Sequence, residues 1–510
     1  MIKVLCKYGL DQHIISKYFA PSVMLKVLPR YQKYHQLSLG EKCYHVCVEL
    51  GPLFVKFGQL ISIRHDLFPE DITEPLSQLQ DNVPPFDNDT AFKTIESDLN
   101  NSIGDLYQSF DPKPIASASI SQVYQATLTD GSAVVVKVLR PGIKRMLAID
   151  IGILRRIAKM MSLRLQIDNS IFQALIEEYD YTLNQELNLK HEACHYSQMQ
   201  HHFKEDARLY VPKVYWSHTS ELVLTIEKVS GIPIDEIKHY PDVNRKKLAV
   251  NGVNIFFTQV FQHRFFHADM HPGNVFVDIS QPDEPKYMAV DFGIVGVLAP
   301  IDQYYLAENF LAFFHRDYNR IASLHIEAGW VGKTTDLVKL ESAIRHVCEP
   351  IFSRSIEEIS IAELMHRLIE VCKPFDLRIQ PQLLILQKTL FHVEALGRSL
   401  YPQLNLWEAA EPFISDFMKQ RAGVKTGWKA LKQELPRLLI NSPKLPFLLQ
   451  EHLSKPAETI TPNQNHNASL FIAGLIIGVI LANPRYLTNI NIYYIISQIL
   501  IMTFLWKRIK

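Results

Sequence analysis

Eight residues, HADMHPGN from His267 to Asn274, constrain this chain more than any other stretch, because Asp291-Phe292-Gly293 follows them after one short apolar run. Asp269 stands five positions before Asn274, and Asp291 adds a second carboxylate beside a glycine. Phosphoryl transfer in a kinase-like fold calls for that set. One aspartate orients the nucleophile, while an asparagine and another aspartate hold metal on the ATP phosphates. The pattern predicts ATP use, with short strands at Val275–Val277 and Tyr287–Val290 and an apolar helix over Leu248–Phe261 leading into the loop.

The sequence upstream agrees with that reading. ISQVYQATL alternates, Asp130-Gly131 supplies a hairpin turn, and AVVVKVL reads as a buried strand. Lys137, after three valines, is the candidate for gripping the α- and β-phosphates, and Glu192 in QELNLKHEA is the carboxylate chosen to hold it. Glu186, a turn and a half earlier, is expected to face elsewhere. The segment before the hairpin, Ile115, Ala116, Ser117, Ala118, Ser119, Ile120, Ser121, Gln122 and Val123, stands where a phosphate-covering loop belongs. It holds small residues and no glycine, which restricts its backbone and predicts atypical nucleotide binding. His267 and His271 are four apart, but Pro272-Gly273 argues against a helical metal pair, so His267 is expected to brace the loop by hydrogen bonding.

Helical periodicity covers residues 1 to about 105, Leu147–Leu163, Ile171–Cys194, and most of the chain beyond Asp302. Leu222–Val229 reads as a strand, broken by Gly231-Ile232-Pro233. At 510 residues the chain exceeds one simple core. Its 53 basic and 53 acidic residues balance, which gives no electrostatic footprint for nucleic acid. Six scattered cysteines suit a reducing cytoplasmic setting. Cys43 and Cys47 share a helix face near His45, where burial is favoured over a zinc site because no second ligand pair exists.

The amino terminus lacks the apolar core and cleavage site of a secretory signal. Near the other end, Ala468–Ala482 and Ile490–Trp506 are apolar, with Asn483, Pro484 and Arg485 between them. A membrane hairpin is expected there, with buried or dimer-forming helices as the other reading. Lys507, Arg508 and Lys510 place that end in the cytoplasm by the positive-inside rule. Basic residues from Lys419 to Lys444 precede the runs, so contact with anionic membrane lipid stands beside a solvated helix face.

With these residues in view the chain resembles the UbiB family of atypical kinases, from about residue 40 to the carboxy-terminal runs. Lys56-Phe57-Gly58-Gln59 matches the family's KxGQ motif; the Ala116–Ser119 loop, Lys137, FFHADMHPGN and DFG match as well. The resemblance implies an α+β, protein-kinase-like two-lobe fold with an amino-terminal helical extension and a carboxy-terminal transmembrane hairpin. The expected divisions are 1–105 for the extension, 106–230 and 231–453 for the lobes, 454–467 for a linker and 468–506 for the hairpin. It also implies Asp269 as catalytic aspartate, Lys137 as nucleotide ligand, and Asn274 and Asp291 as Mg²⁺ ligands. Lys56, Gln59 and Glu186 are implied as regulatory, with the KxGQ helices packed where a protein kinase receives its peptide. One departure is Glu186-Leu187-Asn188, where the family often carries Glu-x-Asp; asparagine keeps an oxygen ligand and loses a charge.

The function implied by the resemblance is that of a membrane-anchored ATPase or kinase supporting ubiquinone biosynthesis, at the bacterial inner membrane and facing the cytoplasm. Its expected partners are ATP, membrane lipid, quinone intermediates and other ubiquinone-synthesis enzymes. Two other readings stay open: a phosphotransferase of the aminoglycoside or choline kinase kind, and a nucleotide-dependent scaffold. Lys56, in the apolar stretch LFVKFGQL, needs a carboxylate to offset its desolvation, and Glu186 is the expected partner.

Overall fold

Three short helices precede the first sheet, and their sequence explains why they stack. The computed structural model describes residues 4, 7–8, 36–62, 64, 68–79, 85–118, 120–165, 169–352, 360–378 and 380–422. All belong to one unit, Met1–Gly423. Ser38 caps α1 (Leu39–Leu50) and Glu41 returns the bond, a capping box that contributes about 1 kcal/mol. Gly51 is left-handed at the turn into α2 (Pro52–Ser62), and α3 (Glu70–Ser77) packs on both helices. Gly58 makes that packing possible: a Cβ there would stand 2.4 Å from Leu79 Cδ1 and 3.1 Å from Cys47 Sγ.

An antiparallel sheet follows, ordered β1 (Tyr107–Phe110), β3 (Ser121–Leu128), β4 (Ala133–Leu139) and β6 (Val223–Glu227), with β2 (Ala116–Ser117) also on β3. The strand β1 falls outside the elements that periodicity predicts. Val134, Val136 and Val138 alternate onto a face covered by α4 (Asn88–Leu99), whose Ala91 and Ile95 are fully buried. Lys137 takes the opposite face, in register with Val123 on one side and Leu224 on the other. Helices α5 (Ile143–Leu165), α6 (Asn169–Glu186) and α7 (Leu189–His202) come between β4 and β6. The continuous helix expected over Ile171–Cys194 is therefore corrected to two helices. Extended Asn188 caps α7 through Oδ1 to the Lys190 amide, and the Leu189 amide bonds Glu221 instead of continuing α6.

The second part carries the loop. Helix α8 (Arg245–Phe257) ends in a π-helical turn, Thr258–His263, a break in the expected Leu248–Phe261 helix. Two antiparallel strand pairs then frame HADMHPGN. Strand β8 (Phe265–His267) pairs with β11 (Val295–Val297), and β9 (Val275–Asp278) with β10 (Lys286–Ala289). β9 also takes β7 (Ile232–Pro233), and β10 runs parallel to β5 (Leu209–Tyr210). Helices α9 (Pro300–Phe314), α10 (Tyr318–Glu327), α11 (Leu337–Phe352), α12 (Ile361–Cys372), α13 (Pro381–Leu400) and α14 (Leu406–Ala422) complete it. The core runs from α2 through α7 and α8 into these helices, with α13 packed on α8 and β11. Among the described residues no helix is long and apolar enough to cross a membrane; the runs at 468–482 and 490–506 lie outside them.

Candidate active site

The two framing strand pairs set the geometry. Pairing of Ala289 with Val275 brings Asp291 beside Asn274, and the Val290 amide bonds the Asn274 carbonyl at 3.0 Å. Pairing of His267 with Val295 closes the other end, where the Ala268 amide bonds Ile294. His267 is fully buried between them. Its Nε2–H donates to the Val290 carbonyl at 3.1 Å, and its Nδ1 accepts the Asp269 amide at 3.1 Å. Burial holds its pKa below the ordinary value, which suits that neutral tautomer. The loop is thus braced from within. Asn274 Nδ2 donates to the Asp269 carbonyl at 3.1 Å, and the Asp269 side chain remains 39 % exposed.

Lys137 is fixed by two carboxylates. Its ammonium lies 3.0 and 2.9 Å from the two oxygens of Glu192 and 2.9 Å from Asp291 Oδ1. Burial alone would lower an ammonium, but Asp291 and Glu192 outweigh it and hold Lys137 above the usual lysine range. Burial opposes ionisation of Asp291; Lys137 first, then Lys56 and His267, keep its carboxyl well below the usual range. Glu192 is 5 % exposed, and burial, only partly offset by Lys137, pushes it up to about 7. Asp291 itself is left-handed at φ 62°, which aspartate tolerates better than most residues. The Tyr196 hydroxyl accepts its amide at 2.7 Å, and His195 bonds the Phe292 carbonyl at 2.9 Å. Phe292 is buried against both His267 and Tyr196. Gly293 leaves room for the carboxylates, since a Cβ there would stand 3.3 Å from Asp291 Oδ1.

The small-residue loop is held by a residue the sequence reading missed. Arg140 donates from Nη2 to Ser117 Oγ at 3.0 Å and to the Ala118 carbonyl at 3.2 Å, while its guanidinium lies over Phe86. Ile115 and Ala116 are exposed, and Ser117, Ala118 and Val123 are half-buried. Ser119 lies outside the described residues. Ile120, Ser121 and Gln122, the other expected nucleotide contacts, are enclosed, and Gln122 turns its amide to Phe86 and Tyr124 because alternation along β3 places it on the same face as Tyr124.

The Lys56-Phe57-Gly58-Gln59 segment ties α2 to its surroundings. Lys56 Nζ lies 3.4 Å from Glu186 Oε2, with both side chains largely buried. Phe57 packs edge-on to Tyr179, whose hydroxyl bonds the Leu53 carbonyl, and Gln59 Nε2 donates to the Leu79 carbonyl at 3.1 Å. Lys56 is close enough to Asp291 to help ionise it. Asn188, two residues after Glu186, spends its carboxamide on capping α7.

Comparison with known proteins adds the context. Residues 78–325 match the model of the ABC1 atypical kinase-like domain, and residues 344–405 match the UbiB helical domain. A protein of Marinobacter nauticus named probable protein kinase UbiB is 45 % identical over 456 residues, covering 88 % of this chain and 83 % of that protein. Its namesake in Blochmanniella pennsylvanica is 39 % identical over 536 residues, covering 100 % of this chain and 98 % of that one. Among solved structures, the erythromycin complex of Rv3197 from Mycobacterium tuberculosis is similar in fold. Its TM-score is 0.50 at 22 % identity, covering 70 % of this chain and 90 % of that one.

Proposed function

This chain belongs to the UbiB family of atypical kinases, and from that premise we propose that it binds Mg-ATP and transfers or hydrolyses the terminal phosphoryl group. The observation that carries the reading is the Lys137–Glu192–Asp291 cluster beside a loop bearing Asp269 and Asn274. In it, Glu192 aims the Lys137 ammonium toward the α- and β-phosphates. The donor set fits magnesium, a hard cation that takes one or two carboxylates and completes its shell with phosphate oxygens and water. Asp291 offers the oxygen not facing Lys137, and Asn274 offers Oδ1, since its Nδ2 is committed to Asp269. When bound, magnesium supplies charge neutralisation to the phosphate oxygens. Asp269 orients the acceptor hydroxyl and takes its proton.

We further propose that this chemistry supports ubiquinone biosynthesis at the cytoplasmic face of the bacterial inner membrane. The apolar runs at 468–482 and 490–506 would serve as anchor, and lipid-like quinone intermediates, with other ubiquinone-synthesis enzymes, as partners. The family and the basic residues preceding the runs support this reading. The test has two parts. Calorimetric titration with Mg-ATP should give binding that Asp291→Asn abolishes in a folded protein. Quinone-intermediate profiling of a deletion strain should then recover with wild type and not with Asp269→Asn. Unchanged Mg-ATP affinity in Asp291→Asn would remove the metal role; full complementation by Asp269→Asn would leave a scaffold and no phosphoryl transfer.

A further inference from the structure

Transfer of a phosphoryl group spreads negative charge over three equatorial oxygens, and a site that speeds it places positive charge where that charge develops. Lys137 serves the α- and β-phosphates, and the segment from His267 to Asn274 contains no lysine or arginine. The acceptor side of the loop therefore lacks a cation of its own. The helix α13 brings one. Lys388 Nζ stands 3.9 Å from Asp269 Oδ1, with 41 % of the lysine side chain and 39 % of the aspartate side chain exposed.

Three features make this placement more than a loose surface pair. The next residue, Thr389, is fully buried, and its hydroxyl proton is shared between the Ile385 carbonyl of its own helix at 2.9 Å and the Ala268 carbonyl at 3.2 Å, so α13 lies against the catalytic loop one residue before Asp269. α13 also packs on β11, the strand paired with His267. One turn further on, His392 is a neighbour of Lys388, Asp269 and His271; burial and the Lys388 charge hold its pKa down. An ion pair this open and this long adds little to stability. The helix holds the root of this side chain beside the loop, and its ammonium is exposed enough to meet a ligand.

We propose that Lys388 is a catalytic residue, its ammonium binding the phosphoryl group in transit beside Asp269; this rests on the Mg-ATP reading above. In that step the acceptor hydroxyl oxygen, water included, bonds to the γ-phosphorus. The bond from that phosphorus to the β–γ bridging oxygen breaks, and ADP leaves with the electron pair. The acceptor's proton goes to Asp269. Lys388 offsets the charge on the equatorial oxygens and steadies the acceptor-side carboxylate. The helical segment matched as a separate domain thereby contributes a group to the chemistry.

The full chain tests this as wild type, Lys388→Ala, Lys388→Gln, Lys388→Arg and Asp269→Asn, each measured for Mg-ATP and Mg-ADP affinity, ATP hydrolysis and melting temperature. Lys388→Ala and Lys388→Gln should lower kcat about 100-fold, the loss seen when one donor to a developing oxyanion is removed. Mg-ADP affinity should stay within about twofold, because only the γ-phosphoryl group meets Lys388. Lys388→Arg should recover part of the lost rate, and melting temperatures should match wild type. A purely structural role would instead weaken ADP and ATP binding together or lower the melting temperature, and either pattern overturns the proposal. Hydrolysis that depends on Asp269 and is untouched by Lys388→Ala overturns this inference alone. Absence of Mg-ATP binding by the wild type overturns the functional reading and this inference with it.

Discussion

The pair between Lys56 and Glu186 joins the amino-terminal helices to the end of α6, and its removal should loosen α2 locally. At 3.4 Å the gross attraction is about 5 kcal/mol for an effective dielectric near 20. Desolvation cancels much of that, since both side chains are largely buried. A net coupling of about 1–3 kcal/mol remains, the range for residues in contact. Lys56→Ala takes this ammonium away from a Glu186 side chain that is largely buried, so each single variant should cost more than the pair is worth. Hydrogen exchange on peptides spanning Pro52–Ser62 reads local opening directly, without requiring a two-state transition of the whole chain. Lys56→Ala and Glu186→Ala should each speed exchange there about 10- to 100-fold, each tenfold being 1.4 kcal/mol. The double variant should be less affected than the product of the two. Additivity within about 0.5 kcal/mol would refute the reasoning, because the residues would then not communicate across the cleft.

Gly58→Ala gains about 1 kcal/mol in helix propensity but forces a Cβ to 2.4 Å from buried Leu79; overpacking of roughly 1–3 kcal/mol should win, and a raised melting temperature would show that α3 yields freely. Glu192 is raised from 4.5 to about 7, so the folded state holds its proton more tightly and this residue's share of stability falls as pH rises through that window. Melting temperature against pH should accordingly slope less steeply between about pH 5 and pH 7 in Glu192→Gln than in wild type, and parallel profiles would contradict it. Truncation after Ser454 should release the protein from membranes in high salt while leaving partial, salt-sensitive association at low salt. Complete retention of the truncated protein in high salt would remove the apolar runs as anchor.

Much of the fold lay in local pattern. Alternation in AVVVKVL and the Asp130-Gly131 turn fix β3, β4 and the face of Lys137, because strand pairing there is nearest-neighbour in sequence. HADMHPGN and DFG could be read because one short hairpin, β9–β10, sets their relation. What escaped depends on distant partners. Tyr196 meets Asp291 across 95 residues and Thr389 meets Ala268 across 121, contacts that neither periodicity nor composition encodes. Arg140 sits just past a strand, where an arginine is ordinarily solvated, and only the fold turns it back on the small-residue loop. The break before α7 was legible in principle: asparagine at position 188 with an acidic residue in the following first turn is a helix-start signal, masked because apolar periodicity runs through it. The face that Gln122 takes escaped for a related reason. ISQVYQATL alternates from its start, and the same alternation that marks the strand also buries its first amide.

Asp291 shows how these levels meet in one residue. Its left-handed backbone costs roughly 1–2 kcal/mol for an ordinary side chain and less for aspartate. The Tyr196 bond to its amide and the Val290 bond to Asn274 hold it there. That conformation turns its carboxylate to Lys137 without further adjustment, and Lys137 is itself fixed by Glu192. A carboxylate has two oxygens, so the same residue can anchor the lysine with one and meet a cation with the other. The pair with Lys137 favours its ionised form, which is the state a hard cation requires. Backbone strain, hydrogen bonding and charge therefore favour the same arrangement. A substitution that relaxes any one of them would act on the site before it acts on the fold.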